Sequence, residues 1–401
     1  MNATRLHLVD ALRGLSLLGI LIANMLIFQY GIFGKEEMEF FSLSAADSVV
    51  HRFLQIAVEG SFMPIFAFLF GFGMIKMKES LERRNMGVKR TLARRFLFLL
   101  LLGYLHSTFL WEGDILLSYG IVGMFLLLFV NRKKKTMLVW GIILFSLTSL
   151  LNFGSLIDSK LVEDPETVTE YIERTNSIYG AGTYQEIMNH RNKEEPQVAM
   201  GVSEDMLLLL IVITPIFISP PFLIGMYAAK SNWFSNPQAE QPLYLKGMLL
   251  VPVGLVIKGL YYLLPSYGWT GVFVLSGGFL LALGYIFSFS YMYSTAKNSA
   301  PFTLFSHVGK LSLTNYLMQT VVCTTLFYGY GFGLFGQLGI IYGVLLCIVL
   351  YFCQMIASKW YLRRFQTGPL ERLLRMITYL TMSGRPKQRR EATTGEEKLG
   401  A

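Results

Sequence analysis

The chain runs repeatedly for about 20 residues with almost no charge. At ~1.5 Å of rise per residue, a helix of that length crosses the ~30 Å hydrocarbon core of a bilayer. Stretches such as "LSLLGILIANMLIFQYGIF" (15–33) and "GVLLCIVLYFC" (343–353) leave few other folds open. Only 15% of the 401 residues are charged and 53% are hydrophobic, against roughly a quarter charged in a soluble domain. Short alternating segments of the kind that build a transmembrane barrel are not evident. The expectation is an all-α, polytopic transmembrane helix bundle of about ten spans. They lie near 11–33, 55–75, 96–111, 115–130, 136–157, 205–229, 243–264, 269–294, 306–328 and 337–357.

Charge between the runs sorts by side. Residues 76–95 hold eight Lys/Arg, 131–135 read "NRKKK", and ten more Lys/Arg follow residue 357. The alternate connections carry "KEEMEF" (35–40), "EGD" (112–114) and the polar segment 158–205. The positive-inside rule places the basic loops, and with ten spans both termini, in the cytoplasm. Topology thus accounts for the net charge of +9, and no nucleic-acid partner is implied. The first run contains Arg13 and Asn24 and lacks a small-x-small cleavage site, so it reads as a retained helix. Together with the bacterial family resemblance below, this suggests a bacterial plasma membrane.

The transmembrane bundle is expected over 1–365, with 158–205 as an extracellular insertion. In that insertion Asp164 and Pro165 open one short helix, and "TYQEIMNHRNKEEP" suggests a second. A cytoplasmic amphipathic helix is expected over 366–382, with Leu370, Leu373, Leu374 and Ile377 on one face. A disordered basic tail follows over 383–401. Cys323, Cys347 and Cys353 all fall within apolar runs, away from any loop where a structural disulfide would form, and no Cys/His metal pattern is present. "GFGLFG" (331–336) lacks the βαβ surroundings of a nucleotide loop.

Polar groups inside the apolar runs are costly and mark candidate function. In the first run Asp10 and Arg13 stand three apart, and Asn24 lies eleven residues beyond Arg13, on the same face and roughly 16 Å deeper. The third run repeats the plan. Arg94 and Arg95 mark its start, His106 lies eleven residues past Arg95, and Asp114 follows across a hairpin, placed to orient the imidazole as in general-base catalysis. Glu59, Asn315 and Gln319 complete a polar path. Each has a plainer reading: arginines anchor helix ends, amides hydrogen-bond between helices, and Lys258 snorkels to the surface.

Several motifs occur together in order: "DALRG", "FAFLFGFGM", "LGYLHSTFLWEGDILLSYG", "GKLSLTNYLMQT" and "GPLERLLR". The chain thereby resembles the YeiB-type family of bacterial multi-pass membrane proteins over nearly its whole length. That family is grouped with transmembrane acyltransferases such as heparan-glucosaminide acetyltransferase and the acyltransferase-3 proteins. The resemblance implies an acyl-CoA-dependent enzyme moving an acyl group, acetyl for instance, from cytoplasmic acyl-CoA to an acceptor on the opposite side. Where acyltransferase-3 proteins carry a histidine eleven residues past the arginine, this chain has Asn24, and His106 with Asp114 is the substitute at similar depth. On this reading Arg13, Arg94, Arg95 and Lys310 bind the coenzyme A phosphates. His106, Asp114 and Asn24 serve as base, orienting carboxylate and oxyanion donor. The acceptor is a cell-envelope glycan, lipid or amine. No covalently bound cofactor and no metal are implied, and a homodimer is compatible. Two other classes fit the same stripe of polar groups: a transporter or channel for a small polar or anionic solute, and a non-catalytic scaffold or sensor.

Overall fold

The computed structural model describes residues 6–153, 165–194, 204–264, 270–296 and 299–386. Regular structure among the described residues is helical throughout, with no strand. Each of the ten apolar runs is met by a helix or a helix pair. They are α1 (His7–Gly34), α3 (Phe62–Glu82), α4 (Val88–Phe109), α5 (Leu116–Leu126) and α6 (Lys134–Phe153), then α9 (Glu204–Lys230), α10 (Gln241–Met248) with α11 (Leu250–Leu263), α12 (Gly271–Thr295), α13 (Ala300–Lys310) with α14 (Ser312–Phe327), and α15 (Ile340–Arg364). The remaining helices are α2 (Ala45–Ala57), α7 (Pro165–Ala181), α8 (Tyr184–Asn189) and α16 (Pro369–Tyr379). Among the described residues, five helical stretches are long and apolar enough to cross a bilayer: His7–Gly34, Ala45–Glu82, Gln241–Leu263, Gly271–Thr295 and Ile340–Arg364.

Three boundaries differ from the sequence expectation for local reasons. The run at 55–75 begins in α2, breaks at Val58–Ser61, where Gly60 takes a positive φ of 65°, and resumes as α3. Only glycine enters that region freely, so Glu59 sits in a turn instead of a helix. The run at 306–328 is divided at Leu311. The run at 115–130 is helical for only eleven residues, roughly 17 Å of rise, and continues as turns.

Helix α1 is the hub. It packs against α3, α7, α12, α13, α14 and α15. In lipid there is no hydrophobic gradient between helices, so close van der Waals fit and interhelical hydrogen bonds hold them. The Tyr351 hydroxyl of α15 donates to the Gly14 carbonyl at 2.6 Å. Asn315 of α14 donates to Ser358 Oγ of α15 at 3.0 Å, and Gln319 to Gln354 Oε1 at 2.9 Å.

The polar insertion folds over the acidic end of the bundle. Pro165 opens α7, while Asp164 lies outside the described residues. Helix α8 starts with a reciprocal cap, in which Thr183 Oγ1 accepts from the Glu186 amide and Glu186 accepts from the Thr183 amide. That bonding holds the Glu186 carboxyl below its ordinary range.

The C-terminal amphipathic helix forms at Pro369–Tyr379, inside the range expected. It packs on α4 and the start of α14, with Leu374 and Thr378 buried and Leu373 facing outward, so it is part of the bundle rather than a free surface helix. Glu371 fixes it there: its carboxylate accepts from the Leu313 and Thr314 amides at 2.8 and 3.1 Å and from Thr314 Oγ1 at 2.6 Å. A carboxylate placed on the first amides of a helix satisfies donors that lack intrahelical partners. Glu371→Ala is therefore expected to cost about 1–3 kcal/mol and to speed proteolysis after residue 366. Wild-type protease resistance in the variant would contradict this anchoring.

Candidate active site

Two features stand in the bundle, one on each side of an aromatic layer. The first is a cavity of about 820 Å³ that opens at the basic end. Its mouth gathers Arg13 from α1, Arg95 from α4 and Lys310 from α13, with Arg84, Arg375 and Arg385 added by neighbouring segments. Arg13 is also held by Asp10 at 3.2 Å, and Asp10 is buried. Deeper in, the wall turns apolar through Met77, Met74, Phe96, Phe70 and Phe66. Along α3 from Ser80 to Phe66 this covers roughly 21 Å, much of a hydrocarbon core.

The second feature is a buried polar relay above the deep end. His106 Nδ1 lies 2.7 Å from Asp114 Oδ1, and Nε2 lies 3.0 Å from Thr320 Oγ1. Asp114 Oδ2 accepts from the Leu117 amide at 2.6 Å, which fixes the carboxylate at the start of α5. With Asp114 as acceptor, Nδ1 carries the proton and Nε2 offers a lone pair, toward which the Thr320 hydroxyl donates. Tyr316, one turn before Thr320, receives the Ile115 amide on its hydroxyl at 3.2 Å and sets its ring 5.5 Å from the imidazole. The histidine is 2% exposed.

An aromatic layer separates relay and cavity. Tyr119 of α5 contacts Phe66, Phe70 and Phe222 at ring separations of 5.7, 5.4 and 4.9 Å. Gly120 packs against Leu100, six residues before His106, so this layer lies roughly 9 Å from the histidine along the helix axis.

Above the relay, the insertion closes the acidic end. Arg191 donates to the Thr108 and Leu110 carbonyls at 2.7 and 3.1 Å, Asn192 to Thr108 at 3.1 Å, and Tyr184 to Phe109 at 2.8 Å. These are the carbonyls left unpaired at the end of α4. Arg191 also stands 4.0 Å from Glu112. Burial pushes the Glu112 carboxyl above its ordinary range, against the pull of Arg191.

The residues singled out from sequence fall into separate groups. Arg13, Arg95 and Lys310 share the cavity wall. Arg94 stands apart from it, donating to Thr91 within its own helix at 3.2 Å. His106 and Asp114 are bonded, but the other ring nitrogen belongs to Thr320, so no hydrogen bond joins Asn24 to His106. Asn24 lies one turn before Phe28 on the same face of α1, and Phe28 stacks on Trp111 at 4.1 Å, so that face meets the α4–α5 hairpin. Asn315 and Gln319 tie α14 to α15. Glu59 pairs with Lys35 at 3.7 Å in an outer turn. Lys258 is buried and donates to the Glu59 carbonyl, so it does not snorkel.

Sequence reasoning missed Thr320, Tyr316 and Arg191. The signal for the first two was present in "NYLMQT": Asn315/Gln319 and Tyr316/Thr320 are two i,i+4 pairs one residue apart, on adjacent faces of one helix.

The uncharacterized protein YxaH of Bacillus subtilis (strain 168) is 34% identical over 388 residues, covering 94% of this chain and 95% of the relative. The chain belongs to the YeiB-type, DUF418 family. A family model described as "Protein of unknown function (DUF418)" matches residues 228–381. The uncharacterized protein YeiB of Escherichia coli (strain K12) is 28% identical over 390 residues, with 92% of this chain and 95% of the relative covered. No solved structure matches the chain. The DUF418 match begins near the end of α9 and runs through α16. It therefore includes Lys310, Tyr316, Thr320 and Glu371, while His106 and Asp114 lie in the part covered by the full-length relatives.

Proposed function

We propose that this protein is a membrane-embedded acyltransferase that takes an acyl group from acyl-CoA at the basic, cytoplasmic side of a bacterial plasma membrane. It passes the group to an extracytoplasmic glycan, lipid or amine. The observation that carries this reading is the cavity. It joins Arg13, Arg95 and Lys310 with aromatic and methionine side chains, among them Phe66 and Phe70, which pack on Tyr119 between cavity and relay. Its volume falls in the range of about 300–1,000 Å³ usual for small-molecule sites. Guanidinium and ammonium groups at the mouth match the phosphates of coenzyme A in charge and in donor geometry. The apolar barrel suits a pantetheine arm.

At the inner end, Asp114 holds the imidazole so that Nε2 is free of a proton. Nε2 then takes the proton from the attacking group and returns it to the leaving group. Asn24, on the α1 face that meets the hairpin, supplies an amide donor for the oxyanion. The aromatic layer at Tyr119 has to part for the thioester to reach the histidine. The same layer interrupts any open polar channel, which disfavours a transport path.

Calorimetric titration of the purified protein with coenzyme A tests the reading. Saturable binding is expected, weakened about tenfold in Arg95→Gln and in Lys310→Gln through loss of a charge-assisted contact. A wild type without saturable binding would overturn it.

A further inference from the structure

Serine and threonine hydroxyls within the helices of this bundle mostly turn back on their own backbone. Thr148 donates to the Leu144 carbonyl, Ser290 to Ile286, Thr325 to Val321 and Thr378 to Leu374, the usual way a helix satisfies them. Thr320 departs from that habit. Its hydroxyl points across to another helix, 214 residues away in sequence, and meets His106 Nε2 at 3.0 Å. Asp114 stands on the opposite side of the same ring at 2.7 Å. Thr320 and His106 are 1% and 2% exposed.

Carboxylate, imidazole and hydroxyl in line at these separations form the arrangement that activates an oxygen nucleophile, recognised by geometry rather than by chain order. A group for the oxyanion is also at hand. Trp111 Nε1 is a fully buried donor with no hydrogen-bond partner among the described residues, and its ring lies 6.5 Å from the imidazole. Leaving such an N–H unpaired is costly in a folded protein, and a developing oxyanion would satisfy it.

We infer that Thr320 is the nucleophile of a buried Asp114–His106–Thr320 triad and carries the acyl group as a threonine ester between donor and acceptor. This rests on the acyl-CoA reading of the cavity. In the first half-reaction Thr320 Oγ1 bonds to the thioester carbonyl carbon and its proton moves to His106 Nε2. The C–S bond then breaks, and the coenzyme A thiolate leaves with that proton. In the second, an acceptor hydroxyl or amine attacks the ester carbonyl and gives its proton to Nε2. The C–O bond to Thr320 breaks, and the threonine oxygen recovers the proton. No net charge or redox change occurs. Asp114 positions the imidazole and stabilises its protonated form throughout.

The test uses full-length protein in nanodiscs, incubated with radiolabelled acetyl-CoA without acceptor and quenched rapidly. Coenzyme A binding is measured on the same samples. The expected result is one acetyl group on the peptide containing Thr320, released by hydroxylamine. It is absent from Thr320→Val, which still binds coenzyme A, and restored in Thr320→Ser. Coenzyme A release from acetyl-CoA should fall about 10³-fold or more in Thr320→Val. Wild-type release rates in Thr320→Val, or coenzyme A release by the wild type with no acetyl-threonine at any quench time, would overturn the nucleophile while leaving the acyltransferase standing. Failure of the wild type to bind coenzyme A would overturn both.

Discussion

His106→Ala is expected to bind coenzyme A as the wild type does and to lose acyl transfer by about 10²–10⁴-fold, the usual contribution of a positioned acid–base group. The separation between relay and cavity is what makes the two effects separable. Arg13, Arg95 and Lys310 sit at the mouth of the cavity, whereas His106 lies beyond the Tyr119 layer. Removing the imidazole should also leave Asp114 and Thr320 without their shared partner. Some loss of thermal stability is expected, and the binding titration on the same sample shows whether the fold is retained. His106→Gln keeps a hydrogen-bonding side chain but no titratable nitrogen, so it should recover stability without activity. Transfer at the wild-type rate in either variant would remove His106 from the chemistry.

The second large effect concerns folding. Where α3 crosses α9, Gly71 and Gly225 face each other's helices reciprocally. A methyl group on Gly71 would overlap the Phe222 carbonyl, and one on Gly225 would overlap the Phe68 carbonyl. The obstacle in each case is backbone, which cannot rotate aside like a side chain. Small residues at such crossings let helix backbones approach closely in lipid. Gly71→Val and Gly225→Val should each destabilise the bundle by about 3 kcal/mol or more, the upper end of overpacking penalties. The readout is thermal unfolding followed by size-exclusion fluorescence in detergent. Gly259, with open space around its Cβ position, is the matched control. A Gly259→Val variant should melt near the wild type, and equal losses at all three sites would refute the close-crossing argument.

Part of the candidate site is legible in the sequence. His106 and Asp114 are eight residues apart across one hairpin, so helical rise and a tight turn were enough to pair them. Depth was also readable: Arg13 and Arg95 begin their apolar runs, and the cavity mouth collects both. The departures have one cause. The sequence reading puts Arg94 beside Arg95 on the phosphate wall and Asn24 opposite His106; Arg94 turns away to Thr91, and Asn24 shares the α1 face that meets the hairpin without bonding the imidazole. Both expectations needed the rotation of one helix about its axis relative to another. A 100° error per residue of offset moves a side chain to another face, which is how Asn315 and Gln319 were chosen over their neighbours Tyr316 and Thr320.

What the amino-acid order by itself determined was the set of apolar helical segments, the segregation of charge to one end, and the contacts confined to single hairpins. Each follows from the free energy of one segment with lipid or water, which needs no knowledge of the other segments. The tertiary structure alone decided that Thr320 meets His106, that Glu371 docks the C-terminal helix on α14, that arginines from four separate segments line one cavity, and that Arg191 closes the end of α4. Within lipid, apolar faces gain nothing by turning inward, so helix orientation is set by close packing and scattered polar bonds. Those are properties of pairs of helices, and no single segment encodes them.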